Sequence, residues 1–344
     1  HVIGAGSMGR DIAAWCALQG LQVSLQDLDQ KALGQAIGAA DKLFRKKLRK
    51  THLVRAAHDR LMADPTGLGI EHAELIVEAI VEDVKIKKTL YSNIEPRMAA
   101  DAMLASNTSS IHLEELAAGL EHPERFLGLH FFNPVSRMPL VEVVNAEATS
   151  ADVVTRAEAF VKQIRRLPLP VKSAPGFLVN RVLMPYLMEA VKLVEEGYEA
   201  EIVDQAALDF GMLMGPLHLA DKVGLDICLS VANVFAEYFG KPIPDILPRM
   251  VDNGRLGIKS SEGFYHYKNG RKRRNWRQWK KPQAPRGLTD RLLDPLFAEA
   301  QTCLDEGIVA SADLVDAGMI FGTGFAPFTG GPLHYLKERE GSHH

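Results

Sequence analysis

The stretch Val2-Ile3-Gly4-Ala5-Gly6-Ser7-Met8-Gly9 decides how the chain is read. The residues before Gly4 read as the end of an apolar strand, and the glycines as a tight turn. Ile12, Ala13, Trp15, Cys16, Ala17 and Leu18 then supply the apolar face of a helix that Gly20 ends. Val23 and Leu25 alternate into a second strand that closes at Asp27, 18 residues beyond Gly9. A glycine turn alone also fits a turn with no ligand. Set between strand and helix, with an acid at this distance, it is the pattern of a dinucleotide-binding βαβ unit. Gly4 permits the turn, Gly6 lets a pyrophosphate approach the backbone, and Gly9 lets helix and strand pack closely. Ser7 and Met8 open the helix, whose free N–H groups and positive dipole end suit phosphate. Asp27 would accept hydrogen bonds from a ribose diol and repel a 2′-phosphate, which predicts NAD as cofactor rather than NADP.

Working outward, strands are expected at Leu75-Ile76-Val77, at Met103-Leu104-Ala105, and over 127–132 and 140–144. Residues 31–60 read as helical and basic, with Arg45, Lys46, Lys47, Arg49, Lys50 and Arg55 among apolar spacers. This alternation predicts a parallel sheet. Pro168, Pro170 and Pro175 read as a linker, with helical periodicity beyond it. Within that later part an order of residues recurs. Glu189-Ala190, Glu196-Gly197, Val203-Asp204 and Gly215-Pro216-Leu217-His218 are followed by Glu299-Ala300, Glu306-Gly307, Val315-Asp316 and Gly331-Pro332-Leu333-His334. The offset drifts only from 110 to 116 residues, which favours a duplicated helical unit. The expected organisation is a cofactor-binding α/β unit over 1–170, a first helical unit over 171–285 and a second over 286–340. The closing Gly341-Ser342-His343-His344 reads as a tag remnant.

Composition narrows the function. The chain has 344 residues, 47% hydrophobic and 24% charged, which excludes general disorder. A net charge of −3 offers no global field for nucleic acid. Cys16, Cys228 and Cys303 form no CxxC pair, which argues against a disulfide framework or a zinc site and for a reducing, cytoplasmic compartment. No apolar run reaches the ~20 residues that span a bilayer.

His130 lies in Leu129-His130-Phe131-Phe132-Asn133-Pro134, at the carboxyl end of a strand, where ligands bind in such sheets. A lone histidine there also fits a satisfied core residue. Glu142 follows 12 residues later within apolar Leu140-Val141-Glu142-Val143, and a carboxylate on a buried strand needs a partner. A His130–Glu142 dyad would meet that need and hold an imidazole as a base. Ser106-Asn107-Thr108-Ser109-Ser110 follows another strand, as ligands or as a helix cap. Asn180, in Gly176-Phe177-Leu178-Val179-Asn180-Arg181, is a ligand candidate or a buried helix amide.

These stretches together resemble the 3-hydroxyacyl-CoA dehydrogenase family. The matches are the glycine turn, Val77-Glu78-Ala79-Ile80 with Glu82 and Lys87, Ser106 to Ser110, His130 to Pro134, Glu142, and the run from Pro175 to Arg181. They continue in Gly254-Arg255-Leu256-Gly257 and Gly263-Phe264-Tyr265. The resemblance implies a Rossmann-type domain followed by an all-α domain made of two related helical repeats. It implies NAD-dependent oxidation of (S)-3-hydroxyacyl-CoA to 3-ketoacyl-CoA in fatty acid β-oxidation. His130 becomes the general base and Glu142 its orienting partner. Ser109 and Asn180 bind the substrate's 3-oxygen, Asn133 helps hold the site, and Glu82, Lys87 and Asn107 lie with Gly4, Gly6, Ser7, Met8, Gly9 and Asp27 along the cofactor. The duplicated helical unit is similar to that of multifunctional chains carrying an enoyl-CoA hydratase/isomerase region upstream, which suits a chain opening at His1 without Met. A thiolase subunit is the implied partner of such a chain. If the second repeat covers the face that shorter relatives use to dimerise, the present chain is a monomer. Arg137, in Ser136-Arg137-Met138, departs from the familiar pattern beside the expected acyl entrance.

The basic segment 268–281, with Trp276 and Trp279 interleaved, fits a solvated loop, a partner contact or a nucleic-acid surface. The residues alone also leave room for another NAD-dependent hydroxy acid dehydrogenase, and for a non-catalytic NAD-binding sensor.

Overall fold

A computed structural model of the chain describes residues 1–273 and 283–341 and divides into two compact units, His1–Ala174 and Pro175–His344. Trp276 and Trp279 of the basic segment, and residues 342–344 of the expected tag remnant, lie outside the described residues.

The first unit is built on eight strands: β1 (Val2–Ile3), β2 (Val23–Gln26), β3 (Leu61–Ala63), β4 (Leu75–Glu78), β5 (Met103–Ser106), β6 (Phe126–Phe131), β7 (Leu140–Asn145) and β8 (Leu167–Lys172). Their order across the sheet is β3-β2-β1-β4-β5-β6-β7-β8. The chain reverses direction across the sheet between β1 and β4, the switch point at which doubly wound sheets bind ligands. Six helices accompany the strands: α1 (Ser7–Leu18), α2 (Gln30–Leu48), α3 (Thr51–Asp59), α4 (Val84–Ile94), α5 (Leu113–Ala117) and α6 (Ala151–Gln163). Neighbouring strands run parallel except β6 and β7, which pair antiparallel across the short connection 132–139.

Residues 31–60 are helical as expected, in two helices, because Arg49 adopts φ 57° and stops α2. Two local expectations change. The sheet is mixed, since β7 turns back on β6. Pro168 and Pro170 do not form a linker but lie in β8, the sheet's edge strand. The Leu167 N–H donates inward to the Pro139 carbonyl, so the ring nitrogens of the next and third residues face the open edge. There a missing donor costs nothing in the ladder.

The second unit has eight helices among its described residues: α7 (Val179–Glu195), α8 (Ala200–Phe210), α9 (Pro216–Val223), α10 (Leu225–Phe239), α11 (Ile246–Asp252), α12 (Leu288–Asp305), α13 (Ala312–Thr323) and α14 (Pro332–Gly341). A small hairpin of β9 (Tyr267–Lys268) and β10 (Arg271–Lys272) is added. Repeated sequence has become repeated structure. Asp204 on α8 accepts the Leu217 and His218 N–H groups at the start of α9, at 2.8 and 3.1 Å. Asp316 on α13 accepts those of Leu333 and His334 at the start of α14 at the same distances. Cβ atoms at Gly215 and Gly331 would lie 2.2 and 2.3 Å from these aspartates, which explains the glycine in each Gly-Pro-Leu-His.

The two copies are also joined reciprocally. Arg181 of the first copy pairs with Glu299 at 2.8 Å and Glu306 at 2.7 Å, both of the second. Arg291 of the second pairs with Glu189 at 2.8 Å and Glu196 at 2.7 Å, both of the first. Residue i meets j and j meets i, as at a two-fold dimer interface, here closed within one chain. The motif glycines at 257 and 263 have a structural reason as well. Each lies against Asp221, whose oxygens accept the Phe264 and Tyr265 N–H groups and the Tyr267 hydroxyl.

The two arms differ in burial: the Arg181 side chain is 2% exposed, that of Arg291 39%. Arg181→Met is therefore expected to cost about 3 kcal/mol, because it strands the buried Glu299 with Lys241 alone. Arg291→Met should cost much less, since exposed pairs contribute little. Urea denaturation of the intact chain checks this; equal midpoint shifts would refute it.

Candidate active site

The glycine turn leads from β1 into α1. Gly4 has φ 102°, and a Cβ there would sit 2.5 Å from the Ala79 carbonyl oxygen. A Cβ at Gly9 would sit 1.8 Å from the Gly4 oxygen. Both must therefore be glycine for β1, β4 and α1 to meet. Gly6 has no heavy atom within 4 Å of such a position, so open space faces the backbone where a phosphate would approach. The helix starts at Ser7 with no side-chain cap. Its first N–H groups are therefore offered to a ligand. Asp27, at the end of β2, accepts the Ala5 N–H at 2.6 Å and the Asp29 N–H at 2.8 Å. The turn and its acid are thus tied together at the switch point, and the arrangement fits the pyrophosphate and ribose of NAD.

The register of β6 and β7 places His130 directly opposite Glu142. Their side chains meet at 2.6 Å between Nδ1 and Oε2, with His130 5% exposed and Glu142 fully buried. An ionised carboxylate only accepts, so against one Nδ1 would be the donor of this pair. The Phe132 ring packs beside the imidazole at 4.5 Å between centroids. Asn133 follows on the exposed side of the turn. The turn is held by Arg166, which donates to the Val135 carbonyl at 2.7 Å and stacks over Trp15. Burial lowers the Arg166 pKa to about 10, which leaves it charged at neutral pH.

A second polar cluster joins β4, α4 and β5. Glu82 accepts the Thr108 hydroxyl at 2.5 Å and the Ser109 N–H at 2.9 Å. Its other oxygen lies 3.3 Å from the Lys87 ammonium. Lys87 is 1% exposed and bonds to Glu78 at 2.7 Å. Asn107 spends its carboxamide oxygen on the Phe131 N–H at 3.0 Å, tying this loop to the His130 strand. Ser106, first of the polar run, is fully buried and donates to Glu78 at 2.8 Å, so it is a structural hydroxyl. Glu78 and Tyr91 were not singled out as site residues. The signal was a glutamate at the end of an apolar strand with lysine and tyrosine 9 and 13 residues on. Asn180 is the second residue of α7, in the second unit.

Residues 1–174 match the family model for the 3-hydroxyacyl-CoA dehydrogenase NAD binding domain, and residues 176–267 that for the C-terminal domain. The chain belongs to the 3-hydroxyacyl-CoA dehydrogenase family. It is an oxidoreductase of that family with an NAD-binding domain. A fatty acid oxidation complex subunit alpha from Shewanella sp. (strain W3-18-1) is 35% identical over 352 residues. The match covers 97% of this dehydrogenase chain and 50% of that protein, so the chain spans half the length of this relative. The solved 3-hydroxybutyryl-CoA dehydrogenase from Escherichia coli K12 is 27% identical with a TM-score of 0.88, covering 98% of this chain and 91% of that one. The (S)-3-hydroxybutyryl-CoA dehydrogenase PaaH1 from Ralstonia eutropha is 34% identical with a TM-score of 0.73, covering 78% and 98%. Among the described residues no helix of the dehydrogenase is long and apolar enough to cross a membrane.

Asp27→Ala is expected to lower kcat/KM for NAD about tenfold, the loss of a charge-assisted hydrogen bond, and to narrow the preference over NADP. Initial rates with both cofactors test this. An unchanged NAD/NADP ratio would remove Asp27 from the cofactor site.

Proposed function

We propose that the chain oxidises the 3-hydroxyl of an (S)-3-hydroxyacyl-CoA to the 3-ketone, as the dehydrogenase step of fatty acid β-oxidation. The reading is carried by the buried His130–Glu142 pair, set on the same sheet as a glycine turn and acid that suit NAD. His130 Nε2 takes the proton of the 3-hydroxyl as C3 loses hydride. NAD, when bound, supplies the hydride acceptor. Glu142 stabilises the imidazolium that forms and keeps the ring in one tautomer. Ser109 and Asn180 are assigned to the 3-oxygen, and Asn133 to the rim of the site. Glu82 and Lys87 face the nicotinamide half of the cofactor in this assignment, and Asn107 shapes the loop between them and His130. Holding the reacting groups in place contributes at least as much as the proton transfer itself.

The longer protein implied by the Shewanella relative is read as carrying an enoyl-CoA hydratase/isomerase region before this chain. Such a protein would pair with a thiolase subunit and work in the cytoplasm. The present chain is read as a monomer, because the reciprocal arginine pairs are satisfied within it.

Turnover is the test. The parent chain should reduce NAD with (S)-3-hydroxyacyl-CoA thioesters and not with the free hydroxy acids. In the reverse direction, with acetoacetyl-CoA and NADH, His130→Gln should fall by about 10²–10⁴-fold, the usual contribution of a positioned base. Activity of His130→Gln near that of the parent would refute the base assignment, and equal use of free acids would refute the substrate class.

A further inference from the structure

Glu78 has no assigned part in the chemistry, yet four donors meet its carboxylate. It is fully buried at the end of β4. One carboxylate oxygen accepts the Lys87 ammonium at 2.7 Å and the Ile80 N–H at 2.8 Å. The other accepts the Tyr91 hydroxyl at 2.6 Å and the Ser106 hydroxyl at 2.8 Å. Four donors saturate the lone pairs of one carboxylate. They come from the connection after β4, from α4 and from β5, so a single charge ties three elements together at the sheet's carboxyl end. Burial, and then the adjacent Glu78 charge, raise the Tyr91 pKa well above that of a free phenol, so its hydroxyl remains a donor.

The network continues toward the substrate loop. The Lys87 ammonium donates to Glu78 at 2.7 Å and forms an ion pair with Glu82 at 3.3 Å. Glu82 in turn holds the Thr108 hydroxyl and the Ser109 N–H. Orientation thus passes from a buried anchor through Lys87 and Glu82 to the backbone of Ser109. A buried ammonium without a full counter-charge would be costly and would leave its place.

We infer that Glu78 is a positioning residue for the nicotinamide half of the site: its carboxylate fixes Lys87 and, through Lys87 and Glu82, the backbone of Ser109. The inference rests on the reading of Lys87 and Glu82 as facing the cofactor. Glu78→Gln is a shape-conserving probe. The amide oxygen replaces the acceptor for Lys87 and Ile80, and the hydroxyls of Tyr91 and Ser106 can turn to accept from its NH₂. The charge is lost, and with it the acceptor of the Tyr91 and Ser106 hydroxyl hydrogens.

The experiment is a fluorescence titration of NADH into the intact chain, with thermal melting of each variant. Glu78→Gln should melt below the parent, because Lys87 loses its buried counter-charge, and in the folded chain it should bind NADH about tenfold more weakly, as Lys87→Met should. The double variant should bind no more weakly than Lys87→Met alone, because Glu78 acts through Lys87. A merely structural glutamate would lower the melting temperature while leaving the NADH affinity of the folded chain unchanged, or would give losses additive with those of Lys87→Met, and either of these would overturn the inference. Tyr91→Phe removes one neutral donor and keeps the charge. A two- to threefold loss of affinity is expected there, roughly one neutral hydrogen bond, and none would count against the network. If Lys87→Met leaves NADH binding intact, the cofactor reading of Lys87 fails together with the inference. If Lys87→Met weakens binding and Glu78→Gln does not, only the inference fails.

Discussion

A carboxylate taken out of water must be given partners, and the sheet of the first unit contains two that are wholly removed from solvent, Glu78 and Glu142. Each is answered at one place. Glu142 meets the imidazole of His130 across an antiparallel strand pair, and Glu78 meets four donors from three elements. Moving β7 by one residue against β6 would turn Glu142 to the other face and break its pairing with His130. The need to satisfy these charges therefore helps to specify the register that builds the site. The glycine turn beside them is specified differently, by contacts so close that no side chain can enter at Gly4 or Gly9.

Much of this was legible in the residues. The glycine turn, its acid and the apolar strands are short-range patterns, and they foretell β1, β2, β4 and β5. The His130–Glu142 pair was legible because a lone acid in an apolar strand implies a partner, and the nearest titratable group on the preceding strand was His130. Edge prolines were not. Pro168 and Pro170 have the composition of a linker, and only their alternate placement on the outer side of β8 makes them compatible with a strand. Arg49 was equally silent, since nothing in a basic helical stretch marks the residue that takes φ 57°.

The duplication in the second unit was visible as recurring words, but its meaning lay in pairs far apart in sequence. Arg181 and Glu306 are 125 residues apart, and Arg291 and Glu196 are 95 apart. No local pattern announces such partners. Once the two copies face each other, the recurring glutamates are seen to be the acceptors for each other's arginine. The same pairing places the carboxylates of the second copy against Arg181, the residue following Asn180 in α7. A change in the second repeat can in this way reach a helix that carries a candidate substrate ligand.

In the proposed reaction the fully buried Glu142 makes His130 a base. The most direct measurement is the single-turnover rate of NADH formation by Glu142→Gln, with NADH affinity measured on the same preparation. The predicted result is a rate lower by about 10²–10⁴-fold with affinity for NADH unchanged, as expected when the partner of a catalytic imidazole loses its charge. A rate within about threefold of the parent, which is well under one hydrogen bond to a charged group, would contradict it.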